Sequence, residues 1–307
     1  MSLPTIRVRH WNQEEAATVK PQEHGALPSD LASPQFWPGL SWTGPLITPI
    51  IRFLSKTFTI AGFEVRKILH DPTELIMRAV QPLLWLLVFG QVFTHSRVIP
   101  TPGLRYLDFM TPGILAQSVL FISIFYGIAI IWERDLGIIH KFLASPTPRP
   151  ALVLGKALAA GVRSLAQAVI IYLLAFILGV KINWTPLALL GVVIIVILGA
   201  AFFSTFSLII ACLVKTRERF MGIGQILTMP LFFASNAIYP ISMMPRWLRA
   251  IAKINPLTYE VDALRILMLA GKVPASPSRL GADFAILLTA TASLILIGGK
   301  VYARAAA

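Results

Sequence analysis

Glu260, Asp262 and Arg265 stand inside the stretch INPLTYEVDALRILML, residues 254–269, among Leu, Val, Ile and Met. Two carboxylates two positions apart could share general acid–base work. On a helix, Asp262 and Arg265 fall at i and i+3 on one face, where they can pair. Near the centre of a membrane span each charge would cost about 2.5–3.5 kcal/mol on insertion scales, so the segment lies elsewhere or its charges are paired for a purpose. Other chemistry is sparse. His10, His24, His70, His95 and His140 have no second ligand at i+3 or i+4, which leaves metal binding and histidine catalysis unsupported. The nearest approach to a phosphate cradle, PALVLGKAL, has Pro150 where the first glycine belongs and Ala157 where Ser or Thr would hold magnesium. No Gly-x-Ser-x-Gly nucleophile turn occurs. Cys212, the single cysteine, lies in an apolar run and offers neither a disulfide framework nor a metal pair. The sequence predicts no catalytic, cofactor-binding or metal site.

The elements that must position these residues are helices in a bilayer. Hydrophobic residues make up 56% of the chain and charged ones 13%, against roughly 45–50% apolar in soluble globular domains. The net charge of +13 comes from basic residues beside apolar runs, where they orient spans, so nucleic acid is not expected as a partner. Six runs approach or exceed the length needed to cross the hydrocarbon: 79–93, 111–132, 157–180, 186–214, 220–239 and 282–302. Between the last two, 240–281 reads as two short amphipathic pieces split at Asn255-Pro256. Fifteen Lys and Arg flank the spans on one side and nine lie on the other, which predicts both termini in the cytoplasm.

Residues 1–45 are polar and proline-dotted and read as a disordered cytoplasmic tail, leaving 46–307 as the transmembrane domain. Over 49–70, apolar residues from Ile51 to Leu69 recur at helical spacing with basic residues mostly off that stripe, which predicts an interfacial amphipathic helix. In span five, Gln225, Thr228, Ser235 and Asn236 recur around Phe232. Polar groups inside a bilayer face protein or a cavity. They are expected to face a subunit interface together with Gln117 and Phe121, as a translocation path, or else to bond neighbouring spans within one chain. In 133–150, Glu133, Arg134 and Asp135 precede Ile138, Ile139, Phe142 and Leu143 at helical spacing, with a stop at Pro146 and Pro148; a short helix is expected.

Four motifs occur in order along 70–269: DPTELIMRAVQPLLWLLVFGQVF; YLDFMTPGILAQSVLF; ERDLGIIHKFLASPTPRPALVLGK; and the closing stretch Asn255-Pro256-Leu257-Thr258-Tyr259 with Asp262 and Leu264-Arg265. Together they resemble the type 2 membrane subunits, or permeases, of ABC exporters, which include drug-resistance, lipooligosaccharide and polysaccharide exporters. The resemblance implies an all-α integral membrane protein with six transmembrane helices, an N-terminal interfacial helix and short re-entrant outer helices between spans five and six. It implies a non-enzymatic exporter subunit in the plasma (inner) membrane that pairs with a second permease, as a homodimer or with a similar chain. ATP and magnesium would sit on a separate ATPase subunit. The loop from Glu133 and Arg134 through Gly137, Ile138, Phe142 and Leu143 would be the coupling helix docking on that ATPase. Asn255, Pro256, Tyr259, Glu260, Asp262 and Arg265 would form an outer-face motif in which the charges meet water. The substrate would be an amphipathic drug-like or lipid-like molecule, with a lipid-linked glycan as the alternative; an intramembrane transferase using Glu260 and Asp262 is a distant third reading.

Overall fold

A computed structural model of the chain describes residue 62 and residues 72–96, 99–101, 103–136, 149–214, 216–269 and 277–304, all within one unit, Thr48–Ala307. Every regular element among them is helical. In chain order they are α1 (Pro72–Leu84), a π-helical turn (Trp85–Gly90), α2 (Gln91–Ser96), α3 (Tyr106–Phe125), α4 (Gly127–Asp135), α5 (Arg149–Ile177), α6 (Pro186–Leu213), α7 (Arg217–Phe233), a 3-10 turn (Ile241–Met243), α8 (Arg246–Ile254), α9 (Pro256–Met268) and α10 (Pro277–Arg304). The expected tail, the interfacial helix at 49–70 apart from Gly62, and Gly137, Ile138, Phe142 and Leu143 of the expected coupling helix lie outside the described residues.

Among the described residues, four stretches are long and apolar enough to cross a membrane: Tyr106–Asp135, Leu152–Ile177, Pro186–Leu213 and Ser278–Val301. They contain or closely match the expected runs at 111–132, 157–180, 186–214 and 282–302. The run at 79–93 falls in the α1–π–α2 stretch, where Pro82 removes one helical donor and the backbone widens to π geometry over Trp85–Gly90. The run at 220–239 is helical only to Phe233, in the 17-residue α7. A turn replaces helix beyond it.

Helix α6 is the hub, packed against α3, α4, α5, α9 and α10. Its sequence explains that position: Pro186 sits at the first turn and the rest is apolar all round, as a helix surrounded by others must be. Helix α3 is buried along nearly its whole length, whereas α10 leaves Leu288, Leu296 and Ile297 outward. One large core gathers Met110, Ile114, Phe203, Phe232, Val261, Leu264 and Leu287. A smaller one, at the opposite end of α6, joins Ile130, Ile131, Leu152, Leu208 and Phe220.

Two close approaches fix the register. At Gly113 a side-chain carbon would lie 2.7 Å from the Ala237 Cα, so α3 touches the backbone of the turn after α7. At Gly127 it would lie 2.6 Å from the Phe220 ring, so the α3–α4 junction touches α7. Ser207 of α6 donates to the Ile124 carbonyl beside that junction.

Candidate functional site

The segment that carries the most chemistry is α9. Asn255 starts it by accepting from the Leu257 N–H at 3.0 Å, with Pro256 at the first helical position. The same side chain donates to the carbonyls of Leu231 at 2.6 Å and Ala234 at 3.2 Å. These are among the carbonyls that α7 leaves unpaired where it stops. The Asn-Pro pair therefore begins one helix and closes another. The Tyr259 hydroxyl donates back to the Lys253 carbonyl in α8, holding the α8–α9 corner.

Asp262 and Arg265 pair across one turn at 3.4 Å, as their spacing predicts. Arg265 also donates to the Asn236 carbonyl at 2.8 Å and lies 3.9 Å from the centroid of the Phe109 ring. Asp262 accepts from the Asn236 side chain and faces Arg279 of α10 at 3.7 Å. The cluster thus ties α3, the turn after α7, α9 and α10 at one point. Beyond Phe109 an aromatic row continues through Tyr106, Phe93 and Phe89 to Trp85, with centroids 4.5–6.5 Å apart. The Tyr106 hydroxyl donates to the Ile238 carbonyl at 3.0 Å.

Of Glu260, Asp262 and Arg265, expected to be able to meet water, the structure buries Glu260 and Arg265 and leaves Asp262 part-exposed. Arg265 has a side-chain exposure of 8% and Asp262 of 18%, and Glu260 is 0% exposed. The Glu260 carboxyl group lies against Gly199 of α6, where an added side-chain carbon would be 2.5 Å from Oε2, and neither oxygen has a hydrogen-bond partner. The physical reason is the pitch of α9 on α6. Leu267 packs on Gly191 and Glu260 on Gly199, so α9 lies along the middle of the most apolar helix.

At the other end of the bundle, Glu133 pairs with Lys156 of α5. Arg134 donates to the Val214 carbonyl at 3.0 Å, capping the end of α6. Asp135 accepts from Arg217 at 2.7 Å, whose guanidinium lies 3.5 Å from the Trp132 ring centroid. The last turn of α4 is thereby fastened to α5, to the end of α6 and to the start of α7.

The expected path residues are divided. Thr228, Phe232, Ser235 and Asn236 are buried. Thr228 donates to the Gln225 carbonyl at 3.2 Å and Ser235 to the Phe232 carbonyl at 2.7 Å, so these hydroxyls bond within the chain. Gln225 is exposed. Gln117 and Phe121 lie elsewhere, on a cleft between α1, α3 and α5.

The sequence matches the ABC-2 type transporter family over residues 55–269, more than two thirds of the chain. The chain belongs to that family. Among its relatives is a ycf38 protein of Cyanophora paradoxa named as a transport permease, 30% identical over 221 residues, covering 70% of this chain and 74% of the relative. Another is the daunorubicin resistance ABC transporter permease DrrB1 of Streptomyces coeruleorubidus, 26% identical over 215 residues, with 70% and 75% covered. A third is YbhR of Escherichia coli K12, named as a multidrug ABC transporter permease, 27% identical over 170 residues, covering 55% of this chain and 45% of the relative.

Membership makes this ABC-2 permease a membrane transport protein and fits the all-helical, apolar bundle. Among the described residues, no group of His, Cys, Asp and Glu could hold a metal ion. Sequence reasoning missed the partners rather than the motifs. Nothing local to Lys156 or Arg217 names its partner, yet each closes an ion pair at the foot of α4. Gln167, buried at 0% on the cleft that Gln117 lines, went unnoticed. Its signal was a carboxamide in the middle of an otherwise apolar run.

Proposed function

We propose that this ABC-2 permease is the membrane subunit of an ATP-driven exporter, with six spans, both termini cytoplasmic and energy supplied by a separate ATPase subunit that holds ATP and magnesium. On this reading two permeases pair, as a homodimer or with a similar chain, in the plasma membrane. An amphipathic, drug-like or lipid-like substrate leaves the cytoplasm or inner leaflet along a path between them. The α1–π–α2 stretch and α7 are then the first and fifth spans, and α8–α9 is the re-entrant outer pair. The names of the drug-resistance and multidrug relatives support an amphipathic cargo.

The observation that carries the reading is the anchoring of α4. A force applied to residues 137–148 enters the bundle through Glu133, Arg134 and Asp135, which are tied to Lys156, the Val214 carbonyl and Arg217. A loop so fastened at its root passes displacement to three transmembrane helices instead of absorbing it. Phe142 then serves as an apolar knob in a groove of the ATPase, and Glu133 as a positioning residue acting through Lys156.

The test is whether an ABC-type ATPase subunit co-purifies with this chain from its own cells, followed by export assays on variants. Phe142→Ala is expected to weaken ATPase association about thirtyfold, the equivalent of about 2 kcal/mol for a lost interface anchor. Glu133→Ala is expected to leave association nearly unchanged while hydrolysis runs without export. Full binding and full export in both variants would refute the assignment of residues 133–144.

A further inference from the structure

Glu260 and Asp262 are the two acids of α9, and the bundle treats them oppositely. Asp262 meets Arg265 at 3.4 Å and Arg279 at 3.7 Å and keeps a side-chain exposure of 18%. Glu260 is 0% exposed, and neither of its carboxyl oxygens has a hydrogen-bond partner. Two residues apart on a helix, the side chains point about 200° away from each other. The turn that brings Asp262 to its arginines therefore puts Glu260 on α6.

That face of α9 is otherwise apolar. Leu257 and Leu264, one turn to either side of Glu260, are fully buried, and Leu267 packs on Gly191. Opposite Glu260 the hub helix has Gly199, and a carbon added there would press on Cδ and on both oxygens. A side chain at 199 would exclude the carboxyl group, so α6 is shaped to admit it. The charged groups on the elements packed against α9 are engaged elsewhere. Helix α6 carries no titratable residue but Cys212. On α3, Asp108 pairs with Arg105, and the Tyr106 hydroxyl donates to the Ile238 carbonyl. On α8, Arg246 and Lys253 are exposed and Arg249 donates to the Ser242 and Met244 carbonyls. On α10, Arg279 faces Asp262, Lys300 is exposed near the far end, and Asp283 is buried with Oδ2 unpartnered.

A carboxylate enclosed in this way would lose its hydration with neither donor nor cation in return, whereas the neutral acid leaves no charge unmatched. Burial accordingly pushes the Glu260 carboxyl well above the ordinary carboxylate range. The ligand that such an oxygen takes is the smallest cation. A proton needs one oxygen, while a metal ion needs several ligands gathered around it.

We propose that Glu260 is a proton-binding site, which carries its proton at neutral pH while α9 lies on α6 and releases it to water when the two helices part. The proposal requires only the packing of α9 on α6 and stands apart from the exporter reading. On that reading, the outer pair α8–α9 packs most firmly in an acidic medium.

Infrared spectra of the full chain in dodecyl maltoside, a detergent without a carbonyl of its own, read the protonated carboxyl group directly. At pH 7 the difference between wild type and Glu260→Gln is expected to hold the carboxylic-acid C=O band, and the same difference in an Asp283→Asn background is expected to hold it too. A difference without the band overturns the proposal, and loss of the band in the Asp283→Asn background assigns the proton to Asp283 instead. Labelling glutamate with carbon-13 at the side-chain carboxyl must shift the wild-type band; an unchanged spectrum overturns the proposal even where Glu260→Gln fails to fold. Thermal melts supply a second reading. The folded protein keeps a proton that the unfolded chain releases above the ordinary glutamate value, about 4.3. The stability contributed by Glu260 is then full below that value and is lost as pH rises through the raised one. Within that window one proton changes the folding equilibrium tenfold per pH unit, about 2 °C in thermal midpoint for a chain of this size. The wild-type midpoint, taken against that of Glu260→Gln at each pH, is expected to fall by this amount per unit between pH 5 and pH 7, and parallel curves would overturn the proposal. No ATPase enters either measurement, so failure of the exporter reading leaves both results standing.

Discussion

Replacing Gly113 with Ala tests how α3 holds the turn after α7. The new methyl carbon would lie against the Ala237 carbonyl oxygen, 2.7 Å from its Cα and 2.8 Å from its carbonyl carbon. All three are backbone atoms, so no side-chain rotation relieves the contact. Ordinary contact lies roughly 1 Å farther out. The turn cannot retreat freely, because Tyr106 holds the Ile238 carbonyl and Arg265 holds the Asn236 carbonyl. Overpacking of this kind costs about 1–3 kcal/mol, and withdrawal of the Ile238 carbonyl from Tyr106 adds about 1 kcal/mol. Alanine also gains helix propensity of up to about 1 kcal/mol over glycine, which offsets part of the loss. Gly222→Ala supplies the control: it lies in α7 with nothing within 4 Å of the added carbon, so it shares the propensity gain without the contact. The difference between the two variants then isolates the contact at about 2–4 kcal/mol, or roughly 3–6 °C in thermal midpoint by the per-residue unfolding entropy of a chain this size. Melting both proteins in nanodiscs measures it. Equal midpoints for Gly113→Ala and Gly222→Ala would refute the close approach of α3 to the turn.

Two further substitutions address α9. Asn255→Ala removes the helix cap and both donors to the carbonyls of Leu231 and Ala234, for an expected loss of about 2–4 kcal/mol; Asn255→Ser keeps a neutral capping oxygen without the two amide donors and should melt between Ala and wild type, so a Ser variant as unstable as Ala would show that the cap contributes nothing. Gly199→Ala drives a methyl into the Glu260 carboxyl group and is expected to cost about 1–3 kcal/mol. Adding Glu260→Ala opens space for that methyl, so a double-mutant cycle should return a favourable coupling of about 1 kcal/mol or more. Strict additivity would separate the two residues and contradict the packing of α9 on α6.

What the sequence made legible follows from what a bilayer demands. Four spans announced themselves because a helix surrounded by lipid or by other helices has no reason to carry charge, and α3, α5, α6 and α10 carry little in their centres. The first and fifth runs were harder to bound because their ends are set by tertiary partners. The helix stops at Phe233 where Asn255, 24 residues beyond Leu231, takes the carbonyls of Leu231 and Ala234, and no local signal near Phe233 records that. The same limit governs the site. Periodicity placed Asp262 and Arg265 on one face, which one helical turn decides. It could not place Glu260, since its burial depends on Gly199 lying opposite on a helix some sixty residues earlier. Gln117, read with the polar residues of span five, belongs with Gln81 and Gln167, because the neighbour of a helix face is chosen by packing and not by shared polarity. Three glycines were the missed clue. Gly113, Gly127 and Gly199 each stand where another element presses on a helix, and in a bundle whose helices share apolar surfaces with lipid, close backbone approach is what selects one partner over another. The polar side chains then act where those approaches bring them, at the foot of α4, around Arg265 and where Glu260 meets Gly199.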